Sequence, residues 1–296
     1  MIFKGCGINI ITPFTDTNEV DFDSLGRLVD TYLKAGAQAL VLGRTTGEFY
    51  AMNDNEILEV IGFVVKRVNK RIPVLAQTGL NDTARSVVLS IRAKALGLDG
   101  LILSAPYYSQ GNELGLISHF KSIALAGGLA TYIDNDPDRT GLNLEPALVA
   151  KLADIPNIVG IIESSTDLDH LVELAPLASY EFTIISGNDK TMLASLSMGA
   201  SGHISVLANI CPRPIFSIYD KFVAGDIAGA RQVQNDYLKP IKLMSLDVNP
   251  IPVKTAMNML GYEVGNFRLP LHPMDPDKAA QIATFIMDTG LEKLVV

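Results

Sequence analysis

Tryptophan is absent from the 296 residues, cysteine occurs only twice, and charged residues make up just 19% of the chain. Cys6 and Cys211 lie far apart in apolar surroundings without metal-ligand spacing, so both read as buried thiols rather than as a disulfide or a metal site. Basic residues are outnumbered, 24 Lys and Arg against 32 Asp and Glu, for a formal charge of −8. That removes the cationic excess needed to neutralise phosphates, so neither nucleic acid nor an anionic membrane is expected as a partner. No apolar run approaches the roughly 18 residues of a membrane span. The opening Met1-Ile2-Phe3-Lys4-Gly5 lacks the order of a signal peptide. His119, His170, His203 and His272 show no helical metal spacing. The chain also lacks a Gly-x-x-x-x-Gly-Lys loop, a Gly-x-Gly-x-x-Gly after a strand and a Gly-x-Ser-x-Gly elbow. The expectation is a soluble cytoplasmic protein with no metal and no cofactor.

What is present is regular. Hydrophobic residues form 48% of the chain, and short β-branched runs recur at roughly 30-residue spacing, each followed by a helical pattern. The expected strands are Gly7–Thr12, Ala39–Gly43, Val74–Thr78, Gly100–Ser104, Ala130–Asp134, Ile158–Glu163, Phe182–Ser186 and Gly202–Ala208. Asn53 with Glu56 reads as a capping pair before Ile57–Val68, and Asn81 or Asp82 opens a helix that stops at Gly97. Most strands are apolar almost throughout, as in a parallel sheet covered on its outer face. Eight such units predict an α/β fold, a closed (β/α)8 TIM barrel over residues 1–225. Residues 226–296 read as a helical extension packed on it, with helices over Ala228–Leu246, Pro252–Leu260 and Asp277–Thr289.

A barrel of this kind carries its site at the carboxyl ends of the strands. There the sequence places Gly43-Arg44-Thr45-Thr46-Gly47-Glu48, then Ala105-Pro106-Tyr107-Tyr108, then Asp134-Asn135-Asp136-Pro137-Asp138-Arg139-Thr140-Gly141, and Ser186-Gly187-Asn188-Asp189. Singly, each is compatible with turn chemistry. In this order, with Ile11-Thr12-Pro13-Phe14, Gly202-His203-Ile204-Ser205-Val206, Asn249-Pro250-Ile251-Pro252-Val253-Lys254 and Arg268-Leu269-Pro270, they resemble the dihydrodipicolinate synthase and N-acetylneuraminate lyase family over nearly the whole chain. The synthase branch is the nearer one. The resemblance implies a homotetrameric class I aldolase fold that acts on pyruvate through a lysine Schiff base.

Three positions depart from that pattern. The family's lysine ends the sixth strand, where this chain has Ile162. The tyrosine that relays a proton beside it falls at Asp134, and Arg44 stands where a glycine usually precedes the Thr-Thr pair. Schiff-base formation needs an amine that can lose its proton. Isoleucine has none, and a guanidinium stays protonated at physiological pH. Lys190 and Lys4 are the conceivable substitutes, the first opening a helix and the second at the wrong end of its strand.

By the resemblance, Thr45 and Thr46 supply substrate-carboxylate and proton-relay hydroxyls, Tyr108 crosses a subunit interface to complete the relay, and Arg139 binds the second substrate's carboxylate at the rim. Arg44, Asp134 and, on the eighth strand, Ile204 join the candidate ligand contacts, the first two with a new acid–base role as the alternative to a structural pair. Each has a plainer reading: turn caps for the threonines, structure for Tyr108, and a solvated charge for Arg139. Arg44 and Asp134 are expected to pair inside the barrel mouth, because a lone buried charge is costly and arginine suits a bidentate contact. Tyr132, two residues before Asp134, shares its face and lies deeper. The expected function is that of a homologue incompetent for dihydrodipicolinate synthesis that keeps a site for a small anionic or oxo-acid ligand. The alternatives are an active lyase, synthase or hydratase of the oxo-acid class with a modified mechanism, or a structural partner of an active paralogue. A homo-oligomer, tetramer or dimer, is expected in each case.

Overall fold

The computed structural model describes residues 2–290. Eight parallel strands close into a barrel in chain order: β1 (Gly5–Asn9), β2 (Ala39–Leu42), β3 (Val74–Gly79), β4 (Gly100–Ser104), β5 (Ala130–Asn135), β6 (Ile158–Glu163), β7 (Thr183–Ser186) and β8 (Gly202–Ser205). Closure comes from β1 pairing with β8, Gly5 opposite Gly202 and Ile8 opposite Ser205. Alternation along each strand divides the apolar residues into two sets. Phe3, Ala39, Val41, Leu75, Ile102, Tyr132, Ile162, Ile185 and Ile204 fill the barrel interior. Their strand neighbours, among them Leu40, Leu101, Ile133, Ile161 and Ile184, pack outward in the core shared with the helices.

The helix signals hold where the chemistry is local. Asn53 caps Asp54–Val68 with a reciprocal capping box through Glu56, and Asp82 caps Thr83–Ala95 by accepting from the Arg85 N–H. Three elements depart from expectation for an identifiable physical reason. The first strand starts two residues early and ends at Asn9, because the Gln38 side chain accepts the Cys6 N–H at 2.6 Å while the Ile11 N–H turns to Asn209 Oδ1 at 3.3 Å. The eighth strand stops at Ser205 rather than Ala208. The next two N–H groups, of Val206 and Leu207, donate to Asp189 Oδ2 at 3.1 and 3.0 Å in place of a ladder. The helix expected over Ala228–Leu246 is two, Ile227–Asp236 and Leu238–Leu243. Pro240 lies in the first turn of the second, where its missing N–H leaves no bond unmade.

The extension is tied to the barrel by buried charge. Lys254, fully buried on the helix Ile251–Met259, donates from Nζ to Glu48 Oε1 at 2.9 Å, to the Thr12 carbonyl at 3.1 Å and to the Asn266 carbonyl at 2.5 Å. Its ammonium lies 4.5 Å from the centre of the Phe14 ring. Residues 291–296 of the expected extension lie outside the described residues. Both cysteines are free and buried, and burial pushes the Cys211 thiol up to about 12. Among the described residues no helix is long and apolar enough to cross a membrane.

Candidate functional site

The turn after β2 sets the geometry of the barrel mouth. Gly43 has a φ of +79° and its Cα faces the Phe49 ring so closely that a Cβ would overlap it. The Gly47 N–H returns to the Gly43 carbonyl at 2.8 Å. Arg44 therefore adopts a φ of +53°, a left-handed conformation that disfavours branched and bulky residues. This is the physical reason a glycine suits the position, and it directs the arginine side chain across the mouth.

There Arg44 closes a bidentate pair with Asp134, Nε to Oδ2 at 3.0 Å and Nη2 to Oδ1 at 2.7 Å, and Nη2 also donates to Ser164 Oγ at 2.8 Å. The two residues are 5% and 3% exposed, so the expected contact is present and dry. Burial alone would lower the Arg44 pKa, but the adjacent Asp134 carboxylate outweighs it and raises the value, fixing the positive charge. Asp134 stands between Ser104 on β4 and Ile162 on β6 in the strand register. Ser104 Oγ lies 3.4 Å from Asp134 Oδ2, accepts from Gln77 Nε2 at 2.8 Å and shares a 3.0 Å hydrogen bond with the Tyr50 hydroxyl. Burial pushes the Tyr50 phenol well above its usual value, so it remains a neutral hydroxyl.

Below this layer the site is greasy. Ile162 is fully buried in the barrel interior with Ile185, Ile204 and Tyr132, so Ile204 belongs to the packed interior and not to the open mouth. Thr46 is also fully buried, its Oγ1 accepting from Asn9 Nδ2 at 2.7 Å and from Asn249 Nδ2 at 2.9 Å. It ties β1 to the extension and can offer a ligand only its O–H.

Above lies a cavity of about 160 Å3 lined by Thr45, Asp136, Asp138, Arg139, Ser164, Asn188 and Lys190, among others. Thr45 and Arg139 are thus brought together as expected. Tyr108 is not there: it is 96% exposed with a φ of +68°, while Tyr107 packs edge-on against Tyr50 at 5.2 Å. Lys4 lines a separate groove with Ala178, Tyr180 and Tyr219. Lys190, in contrast, reaches the mouth cavity.

Further residues line or brace the site beyond the candidate ligand contacts. Ser164 and Asn188 act through loop geometry, the Asn188 amide donating to the Ser164 carbonyl at 3.1 Å. Asp136 sits 3.9 Å from Arg44 Nη2, and burial together with the charge of Asp134 pushes its carboxyl up to about 6. Asp189 lines the same wall with its carboxylate already engaged, accepting from Ser205 Oγ at 2.5 Å and from His203 Nε2 at 2.8 Å. Beneath the mouth Glu163 accepts from Asn135 Nδ2 at 2.9 Å and faces His170 Nδ1 at 3.2 Å, while His170 Nε2 meets the Leu144 carbonyl at 2.9 Å. With the Glu163 carboxylate beside one nitrogen and the Leu144 carbonyl at the other, the imidazole is raised to about 9, chiefly by Glu163.

Comparison with known proteins is decisive for ancestry. The model of the dihydrodipicolinate synthetase family matches residues 2–288. The chain belongs to that family. It is 44% identical over 290 residues, 98% of each chain, to the 4-hydroxy-tetrahydrodipicolinate synthase of Caldicellulosiruptor bescii. Its fold superimposes on the dihydrodipicolinate synthase of Aquifex aeolicus with a TM-score of 0.95 at 35% identity, covering 98% of this chain and 99% of that one. A dihydrodipicolinate synthase variant described as monomeric shares the fold equally well, with a TM-score of 0.95 at 32% identity over 98% of both chains. Family membership thus fixes the scaffold, and the residues in the mouth must supply the argument for function.

Proposed function

We propose that this family member does not make a pyruvate Schiff base and is incompetent for dihydrodipicolinate synthesis, and that its barrel mouth holds a small carboxylate or oxo-acid without covalent attachment. The observation that carries this reading is the replacement of two reactive groups by neighbours that cannot act as they did. Ile162 and Asp134 are register partners on β6 and β5, at the positions where the family resemblance puts the lysine and the tyrosine. The hydrocarbon of Ile162 cannot add to a carbonyl, and Asp134 is engaged by Arg44 instead of being free to relay a proton. Thr45, Arg139 and Lys190 around the cavity supply a hydroxyl and two cations for a carboxylate.

Incubation with pyruvate and borohydride, followed by intact mass measurement, tests the proposal. The expected result is an unmodified chain of 31.9 kDa. A stoichiometric gain mapping to any lysine overturns it. Lys190 is the position to inspect, since it lines the same cavity as Thr45 and Arg139 and would be the amine of an active lyase or synthase with a relocated nucleophile.

We also propose a homo-oligomer, dimer or tetramer. A tyrosine held 96% exposed in a left-handed backbone conformation, with Leu114 nearby in sequence at 74% exposed, fits a side chain received by a second copy better than one left in water.

A further inference from the structure

We infer that Asp136 is an acid–base residue of the barrel mouth, one that moves a proton on and off the carbon next to the oxo group of a bound oxo-acid without covalent attachment. The inference rests on the reading of the mouth as an oxo-acid site and adds a reaction to it. Its basis is which carboxylates around the mouth are already committed. Asp134 receives two hydrogen bonds from Arg44. Asp189 is held by His203, Ser205 and two backbone N–H groups. Glu163, beneath the mouth, accepts from Asn135 Nδ2 and from the Ser165 N–H at 2.8 Å and faces His170. Asp138 lies exposed at the rim, where water solvates it.

Asp136 is placed differently. It precedes the short helix Pro137–Thr140, the position from which an aspartate ordinarily folds back to cap backbone N–H groups. Its carbonyl accepts the Arg139 and Thr140 N–H groups at 3.0 and 2.9 Å, but among the described residues its side chain makes no capping bond. The carboxylate instead lines the cavity shared with Thr45, Arg139, Ser164 and Lys190. It is 23% exposed, and its ion pair with Arg44 Nη2 spans 3.9 Å, beyond hydrogen-bond distance, because that nitrogen donates to Asp134 and Ser164. The guanidinium holds the carboxylate in place and leaves its lone pairs free to take a proton.

The cavity supplies the remaining groups. Its volume of about 160 Å3 equals that of about five waters, enough for a three-carbon oxo-acid. Arg139 offers the ligand carboxylate a planar fork, and Lys190 offers an ammonium to the oxygen of the oxo group. Asp136 takes a proton from the carbon beside that group. The C–H electron pair becomes the C=C bond of an enolate, and the carbonyl pair moves onto the oxygen facing Lys190, where positive charge stabilises it. Return of the proton restores the oxo-acid, so nothing is consumed and neither an oxidant nor an amine nucleophile is needed.

Burial and the charge of Asp134 push the Asp136 carboxyl up to about 6, which makes it a stronger base than an ordinary carboxylate while leaving it ionised at neutral pH. The groups facing it are Arg44 from the β2 turn, Asp134 on β5, Asp138 and Arg139 beside it in the chain, and Asp189 and Lys190 from the loop after β7. The cations keep their charge in this range, so proton abstraction rises with pH through about 6 and then levels.

Pyruvate in deuterium oxide is the probe. Proton NMR reads deuterium entering its methyl group, and calorimetry reads its binding to the same full chain. Exchange is expected to run at least about 100-fold faster than in buffer alone, to fall as pH drops through about 6, to leave no borohydride-trapped adduct, and to return to background in Asp136→Asn while pyruvate still binds. Binding without exchange overturns the inference and leaves the oxo-acid site standing. Failure of pyruvate to bind, or exchange accompanied by an adduct trapped on a lysine, overturns both. Exchange unchanged in Asp136→Asn also overturns the inference, and should that variant fail to fold, the pH profile of the unaltered protein decides, a flat one through about 6 being contrary.

Discussion

Arg44 and Asp134 are 90 residues apart in the chain, yet the guanidinium on the β2 turn and the carboxylate on β5 meet at 2.7 and 3.0 Å in a bidentate pair. Arg44 does so from a φ of +53°, so the contact and the backbone pull in opposite directions. Replacement by glycine relieves about 1 kcal/mol of backbone strain but strands a buried carboxylate, a loss of about 3–5 kcal/mol.

A double-mutant cycle separates these effects. Arg44→Gly and Asp134→Ala are each expected to lower unfolding stability, while the double variant loses less than the sum, with a coupling of about 1–3 kcal/mol. Urea unfolding of the four proteins measures it, and strict additivity would show that the pair contributes nothing as a pair.

Ile162→Lys alone is expected to leave dihydrodipicolinate synthesis undetectable in a coupled reductase assay. The new ammonium would enter a fully buried layer next to an Asp134 that Arg44 already neutralises, so it gains little and loses hydration, at a stability cost of at least about 2 kcal/mol. The relay phenol would still be missing. Turnover in the single variant would mean that Asp134 and Arg44 are compatible with the chemistry.

The Glu163–His170 contact predicts a pH dependence of stability. The imidazole is raised to about 9 in the folded protein, above its unfolded value of about 6.5, so its contribution is complete below the unfolded value and is lost as pH rises through about 9. Because the 3.2 Å contact is an ion pair and not an aligned hydrogen bond, the expected loss is about 1–2 kcal/mol. His170→Asn should remove that part of the slope in urea midpoints measured across the range; an unchanged slope would rule out the pair as its source.

Sedimentation velocity at micromolar concentration is expected to show a species heavier than the 31.9 kDa chain, and Tyr108→Ala to shift it toward the monomer without altering far-UV circular dichroism. A stable monomer in the parent protein would reject the assembly.

The barrel was legible in the chain because its strands are short apolar runs between polar turns, a pattern that depends on neighbours in sequence. The ends of β1 and β8 were not, since Gln38 and Asp189 replace ladder partners through side chains that no periodicity marks. Tyr237, at the break between two helices expected as one, likewise interrupts an unbroken amphipathic pattern. In the mouth, Arg44, Asp134 and Ile162 stood out because each departs from a recognisable motif. The meeting of Ser164, Asn188 and Asp136 at one cavity depends on how loops from different strands converge. Ile204 was read as a ligand contact from its place on the last strand, whereas inward alternation buries it in the barrel interior.

The buried bond between Lys254 and Glu48 makes the carboxyl-terminal helices a splint for the turn that aims Arg44. Glu48 ends that turn, Thr46 within it accepts from Asn249 of the extension, and Arg268 donates its backbone N–H to the other oxygen of Glu48 at 3.3 Å. A chain cut after residue 225 would strand the Glu48 charge and release Thr46, so the eight-stranded part would not persist as an autonomous unit with its mouth intact. Amide exchange at the turn should then open in step with the last helices, as one cooperative block rather than as a loop fluctuating alone.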